Sequence, residues 1–202
     1  MPPTTREAQR AELHKTIWRI ANDLRGSVDG WDFKSYVLGM LFYRFISENL
    51  TAYLNEVERR AGVPDFDYAQ IADQDAEFGR KDTVDEKGFY ILPSQLFANV
   101  RRRAAADENL NETLDAVFKA IEGSAVGADS EDDIKGLFAD LDVNSQKLGS
   151  TVAIRNQKLV KLLDAIGDLN LGDFTTHEIE IDISSCLESP AQAAQVFPSS
   201  LF

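Results

Sequence analysis

Apolar residues recur at helical spacing through most of the chain. Between Glu7 and Arg25, the residues Leu13, Ile17, Ile20, Ala21 and Leu24 fall on one face, which predicts an amphipathic helix. Gly26 stops it, because glycine takes up the left-handed conformation that ends helices. After the turn Ser27-Val28-Asp29-Gly30, a second helix is predicted from about Asp32 to Arg60. Its middle, Tyr36 to Tyr43, is apolar all round, the pattern of a helix covered on every side by neighbours. Further on, Leu50, Tyr53, Leu54 and Val57 form an inward stripe, and Gly62 and Pro64 close the segment.

Pro64 to Leu92 carries the weakest periodicity and many acids, and reads as loop with one short helix. Gly88-Phe89-Tyr90-Ile91-Leu92 has the composition of a short strand. Pro93-Ser94 restarts a helix with Ser94 as candidate cap and Leu96, Phe97 and Val100 inward. A further amphipathic helix holds Leu114, Val117, Phe118 and Ile121 and ends at Gly123. Ser130-Glu131-Asp132-Asp133 reads as another helix start, since acids favour the positive end of the helix dipole, and Ile134, Leu137 and Phe138 follow. Ser150 is the candidate cap of a helix from Thr151 to about Ile166, with Val152, Leu159, Leu163 and Ile166 on its buried face. Beyond Asp173 the pattern changes: His177 to Ile183 alternates polar and apolar like a strand, and Ser189 to Phe202 is a polar tail. The expected fold is mainly α: a bundle-like helical domain over residues 1–172 around a long central helix, at most a short β element, and a peripheral extended tail over 173–202.

The length of 202 residues suits one domain with an extension, and 44% hydrophobic residues suffice for a core. A single cysteine, Cys186, rules out an intrachain disulfide, and the N-terminus has no apolar signal core. The longest apolar run, Tyr36 to Ile46, is too short to span a bilayer and contains Arg44, so no membrane partner is expected and a cytoplasmic location is. Arg44 in that run would need a carboxylate partner if buried. A formal net charge of -13 argues against a protein that coats DNA by global attraction, while leaving room for a local basic face.

The sequence gives catalysis little support. His14 and His177 stand outside any nucleophile or metal-ligand spacing, Cys186 has no basic neighbour to activate its thiol, and the acidic loop from Asp65 to Glu77 lacks the glycine and terminal glutamate of a calcium hand. One electrostatic feature departs from the rest. From Asn144 to Lys161 there is no acid, yet Lys147, Arg155, Lys158 and Lys161 are present. On a helix, Arg155, Lys158 and Lys161 fall within about a third of the circumference, giving a basic stripe beside the buried face. The polar loop Asn144-Ser145-Gln146-Lys147 precedes it. These residues are candidates for phosphate or subunit contact, weighed against a solvated face balancing Asp132, Asp133, Asp140 and Asp142 upstream. Arg25 and Lys34 form a second, weaker candidate set, and Arg101-Arg102-Arg103 reads as solvated surface.

Two segments resemble a known family. The first is Ile17-Trp18, Leu24-Arg25-Gly26 and the run Tyr36-Val37-Leu38-Gly39-Met40-Leu41-Phe42-Tyr43-Arg44-Phe45-Ile46-Ser47. The second is Gly136 to Ser145, with Lys147-Leu148-Gly149 and Arg155-Asn156-Gln157-Lys158-Leu159. Both resemble the helical N-terminal domain of the methyltransferase (M) subunit of type I restriction-modification systems, over roughly Ala11 to Leu171. The resemblance implies a subunit that, when complete, is an adenine-specific DNA methyltransferase using S-adenosylmethionine. It implies as partners a specificity subunit that reads the target, a second M subunit, restriction subunits, and duplex DNA. The helical domain would serve subunit assembly and closure of the complex around DNA, with adenine flipped into the domain that follows.

That following domain should bring a glycine-bearing cofactor loop and an Asn-Pro-Pro-aromatic motif, and the sequence contains no Asn-Pro pair. The expectation is that this polypeptide alone has no catalytic, cofactor-binding or metal-binding residues and transfers no methyl group. Two other readings stand beside it: an acidic helical protein that binds basic partners or mimics DNA, and a fragment that completes a methyltransferase with a separately encoded catalytic chain.

Overall fold

The computed structural model describes Lys15 and residues 30–169. The described residues are mainly helical and include no strand. The longest element, α1 (Gly30–Arg60), matches the helix expected from about Asp32 to Arg60. Lys15, the one described residue of the expected first helix, is helical. The rest of that helix, Arg25, His14, the 177–183 strand pattern, Cys186 and the tail all lie outside the described residues.

The chain divides into two compact units, and α1 contributes to both: one comprises residues 1–42 and 140–202, the other residues 43–139. In the first unit, Tyr36, Val37, Met40 and Leu41 of α1 are buried, as are Leu141, Val143 and Leu148. Gly39 permits close approach here, because a Cβ at that position would stand 2.8 Å from Leu141 Cδ2. The Tyr36 hydroxyl donates to the Asp142 carbonyl at 2.6 Å, which fixes the chain entering the polar loop. The unit's other long element is α7 (Val152–Gly167), whose Leu159, Leu162, Leu163 and Ile166 are buried.

The second unit is built on Tyr43, fully buried in α1. Its ring meets Phe97 and Phe118 edge-on, each at 5.4 Å between centroids, and Phe118 stacks on Phe138 at 4.4 Å. Its hydroxyl donates to the Gln95 carbonyl. Phe97 opens α4 (Phe97–Ala104) and Phe118 lies in α5 (Leu110–Ser124). Leu96, Phe97, Val100, Leu114, Val117, Phe118 and Ile121 are all buried, as the periodicity predicts. Between α1 and α4 lie α2 (Asp73–Ala76) and α3 (Arg80–Lys87), and α6 (Glu131–Ile134) follows α5. A second aromatic corner holds Tyr68 and Tyr90, whose rings are 6.5 Å apart. Tyr68 donates to the Ile91 carbonyl at 2.8 Å and Tyr90 to that of Ala76. Burial drives the Tyr43 and Tyr68 phenols far above their ordinary range, so both remain protonated donors.

Several expectations are corrected. Gly88 to Leu92 is not a strand, because its polar groups are satisfied singly by side chains. The Tyr90 amide donates to Ser124 Oγ at 2.8 Å and the Ile91 carbonyl takes the Tyr68 hydroxyl. Pro64 to Leu92 is more helical than its sequence suggests. Besides α2 and α3 it contains 3-10 turns at Tyr68–Gln70 and Glu77–Gly79. Ser94 does not cap a helix. Pro93–Gln95 is a 3-10 turn, and both the amide and the hydroxyl of Ser94 donate to the Asp73 carboxylate. The helix start expected at Ser130-Glu131-Asp132-Asp133 is found, with Ser130 at the N-cap position of α6 and its hydroxyl donating to the Gly88 carbonyl. Val57 is 42% exposed and not inward, which places it past the end of α1's buried stripe. Arg44 meets the expected need for a carboxylate through Glu48, one turn on, at 2.6 Å.

Candidate functional site

The basic stripe lies on α7, and the loop before it sets where α7 begins. Residues 142–149 form a chain of tight turns: the Ser145 amide donates to the Asp142 carbonyl, Leu148 to Ser145 and Gly149 to Gln146, each at 3.1 Å. The Asn144 amide donates to the Asp142 carboxylate at 3.0 Å. The capping residue is Thr151, one residue beyond the expected Ser150: its hydroxyl oxygen accepts the Ile154 amide at 3.2 Å, while its backbone is extended. A Thr151→Ala substitution should therefore cost about 1 kcal/mol of stability in chemical denaturation, and Ser150→Ala close to nothing. Equal effects at the two positions would reassign the cap.

Gly149 packs against the first turn of α7 so closely that a Cβ there would lie 2.5 Å from Ile154 Cγ2 and 3.0 Å from the Arg155 backbone nitrogen. Arg155 turns its guanidinium back across this junction and donates to the Gly149 carbonyl at 3.0 Å. Its Nε is buried with no hydrogen-bond partner. Arg155 thus ties loop to helix, and less of its charge is presented outward than the stripe implied. Loop and helix are held as one piece by a glycine contact and an arginine hydrogen bond, neither of which shows in a helical-wheel reading.

Lys158 and Lys161 lie one turn apart on α7, Lys158 half-buried and Lys161 exposed. Partial desolvation, and then the neighbouring Lys161 charge, lower the Lys158 pKa below the usual lysine value. Among the described residues, no carboxylate pairs with Arg155, Lys158 or Lys161. This contrasts with Lys81, which pairs with Asp85, and Lys119, which pairs with Asp115. Lys147 is exposed in the loop. Lys34 lies in α1, with its side chain outside the description, and Arg25 is outside the described residues. Val152, expected on the buried face, is 41% exposed in the first turn of α7, next to an equally open Ile154. Of the Arg101-Arg102-Arg103 run, Arg102 donates to Asn99 and Arg103 to the Ser94 carbonyl, so local structure engages both.

The described residues contain no His/Cys/Asp/Glu grouping able to hold a metal. None of their helices is long and apolar enough to cross a membrane.

This architecture is shared with a crystal structure of the type I restriction-modification system methyltransferase subunit from Streptococcus thermophilus. The two superpose with a TM-score of 0.66 at 22% sequence identity, covering 93% of this chain and 39% of that one, which is a likeness of fold. The HsdM N-terminal domain family matches residues 13–166. The type I restriction enzyme MpnII methylase subunit of Mycoplasma pneumoniae is 48% identical over 182 residues, covering 87% of this chain. The chain belongs to the HsdM N-terminal domain family, the N-terminal part of type I restriction-modification methylase subunits. It spans 33% of the length of that Mycoplasma relative.

Proposed function

We propose that this chain is the assembly and DNA-clamping part of a type I DNA methyltransferase, and that the α7 edge is one of its contact surfaces. The observation that carries this reading is the pair Lys158 and Lys161. They stand on one face of α7 without a carboxylate partner among the described residues, in a chain whose net charge is -13. Lys81 and Lys119, by contrast, each pair with an acid one turn away on their own helix. Lys147 extends the positive surface from the loop, and Arg155 holds loop and helix in register. Arg25 and Lys34 are secondary candidates. Lysines on a helix flank attract phosphates or acidic side chains without reading bases.

In this proposal the complete subunit methylates adenine with S-adenosylmethionine in the cytoplasm. Its partners are a specificity subunit, a second M subunit, restriction subunits and duplex DNA. In this reading the methyl transfer is carried by a part of the complete subunit other than this helical domain.

Charge reversal tests the proposal. In the assembled modification enzyme, Lys158→Glu with Lys161→Glu should leave folding intact and weaken subunit assembly or DNA retention about tenfold or more at low salt, with the loss shrinking as salt rises. Unchanged assembly and unchanged DNA retention would remove α7 from the interface. They would favour the reading as an acidic protein for basic partners.

A further inference from the structure

We infer that the α7 edge meets a protein and not the duplex, an inference that rests on the contact reading above. The partner is an acidic surface on another subunit of the assembled enzyme, with an apolar side chain set beside its carboxylates. Val152 and Ile154 in the first turn of α7 are 41% and 40% exposed, and Ala153 between them is exposed as well. Three consecutive apolar residues at an open helix end form a patch, which a lone exposed valine does not. The patch is held still. The Thr151 hydroxyl oxygen accepts the Ile154 amide at 3.2 Å, and Ile154 packs its Cβ and Cγ2 against Gly149. Docking onto it therefore costs little ordering of the chain.

The patch runs into the lysines. Ile154, Lys158 and Lys161 are spaced i, i+4 and i+7, which places them along one strip of the helix, about 10 Å from end to end. Lys158 and Lys161 have no carboxylate pair among the described residues, and Lys147 is exposed in the loop ahead. A phosphate backbone matches the lysines and not the rest. Duplex contacts are made to phosphate and sugar by charged and polar side chains and by backbone amides. A phosphate pressed against valine, alanine and isoleucine would lose water with no hydrogen bond in return. A protein surface matches both parts, because interfaces combine an apolar centre with a charged rim. An apolar side chain opposite Ile154 and carboxylates opposite Lys158 and Lys161 complete the strip.

The experiment combines the complete methylase subunit with its specificity subunit and a target duplex. The variant Val152→Thr with Ile154→Thr changes no charge and keeps the branched shape, since threonine retains the Cβ and Cγ2 that face Gly149. It should weaken subunit assembly about tenfold, read by sedimentation over a dilution series. The loss should persist at high salt, where attraction between charges is screened. Duplex retention by enzyme assembled at saturating subunit concentration should be unchanged. Val152→Thr alone, at an exposed position, should give part of the same loss and guards against a folding defect. Full assembly of both threonine variants overturns the inference. So does a charge reversal at Lys158 and Lys161 that lowers duplex retention while assembly stays whole. That result would set α7 against the phosphates and leave the contact reading standing. Charge reversal without effect on either would end the contact reading, and this inference with it.

Discussion

Replacing Tyr43 with alanine is expected to remove about 3–5 kcal/mol of stability, a large part of the roughly 5–15 kcal/mol typical of a folded protein. The residue is fully buried, and its ring joins α1 to both Phe97 and Phe118 at 5.4 Å, so truncation opens a cavity where three elements of the second unit meet. Tyr43→Phe separates ring from hydroxyl. It keeps the edge-on contacts and leaves the Gln95 carbonyl without its donor, for an expected cost of about 1–3 kcal/mol. Urea denaturation of the two variants checks the ordering. An alanine variant that loses no more than the phenylalanine variant would mean that the aromatic cluster is not what holds the unit together.

The second large effect is expected at Gly149. An alanine there must place its Cβ 2.5 Å from Ile154 Cγ2, 2.9 Å from Ile154 Cβ and 3.0 Å from the Arg155 nitrogen. Two of these three atoms belong to the β-branch point of a stiff side chain and to backbone, so neither can swing aside. Overpacking of this sort costs about 1–3 kcal/mol, and here it also pries Arg155 from the Gly149 carbonyl. Gly149→Ala should lower the thermal midpoint. In the assembled enzyme it should also weaken docking, because the loop bearing Lys147 shifts relative to Lys158 and Lys161. A variant with wild-type stability would show that loop and helix are not rigidly joined.

Much of the fold is legible in the sequence where apolar spacing is long and strong. The run from Tyr36 to Ser47 could only belong to a buried helix, and α5 and α7 announce themselves by three or four large residues at helical intervals. The region before Pro93 is misread for a physical reason. In α3, Thr83 is the buried residue, and the 3-10 turns beside it are three residues long, so there is no periodic stripe to detect. Serines mislead in a similar way. Ser94 and Ser150 look like caps, yet Ser94 spends its hydroxyl on Asp73, 21 positions away, and the cap beside Ser150 is Thr151. In the candidate site, the sequence shows that the basic residues are there and shows their spacing. It cannot show that Arg155 folds back onto the Gly149 carbonyl, because a helical wheel carries no information about the loop that precedes it.

The amide of Phe97, at the start of α4, donates at 3.2 Å to the hydroxyl oxygen of Ser47, a residue of α1 fifty positions earlier in the sequence. Leu96, immediately ahead of α4, offers no side-chain oxygen for the purpose. An eight-residue segment with a borrowed terminus has no means of nucleating by itself, so a synthetic peptide of residues 97–104 would be expected to show a random-coil circular dichroism spectrum. Order in this stretch then arrives together with the tyrosine cluster, and the whole unit would melt in a single transition, with no stage at which α4 survives alone.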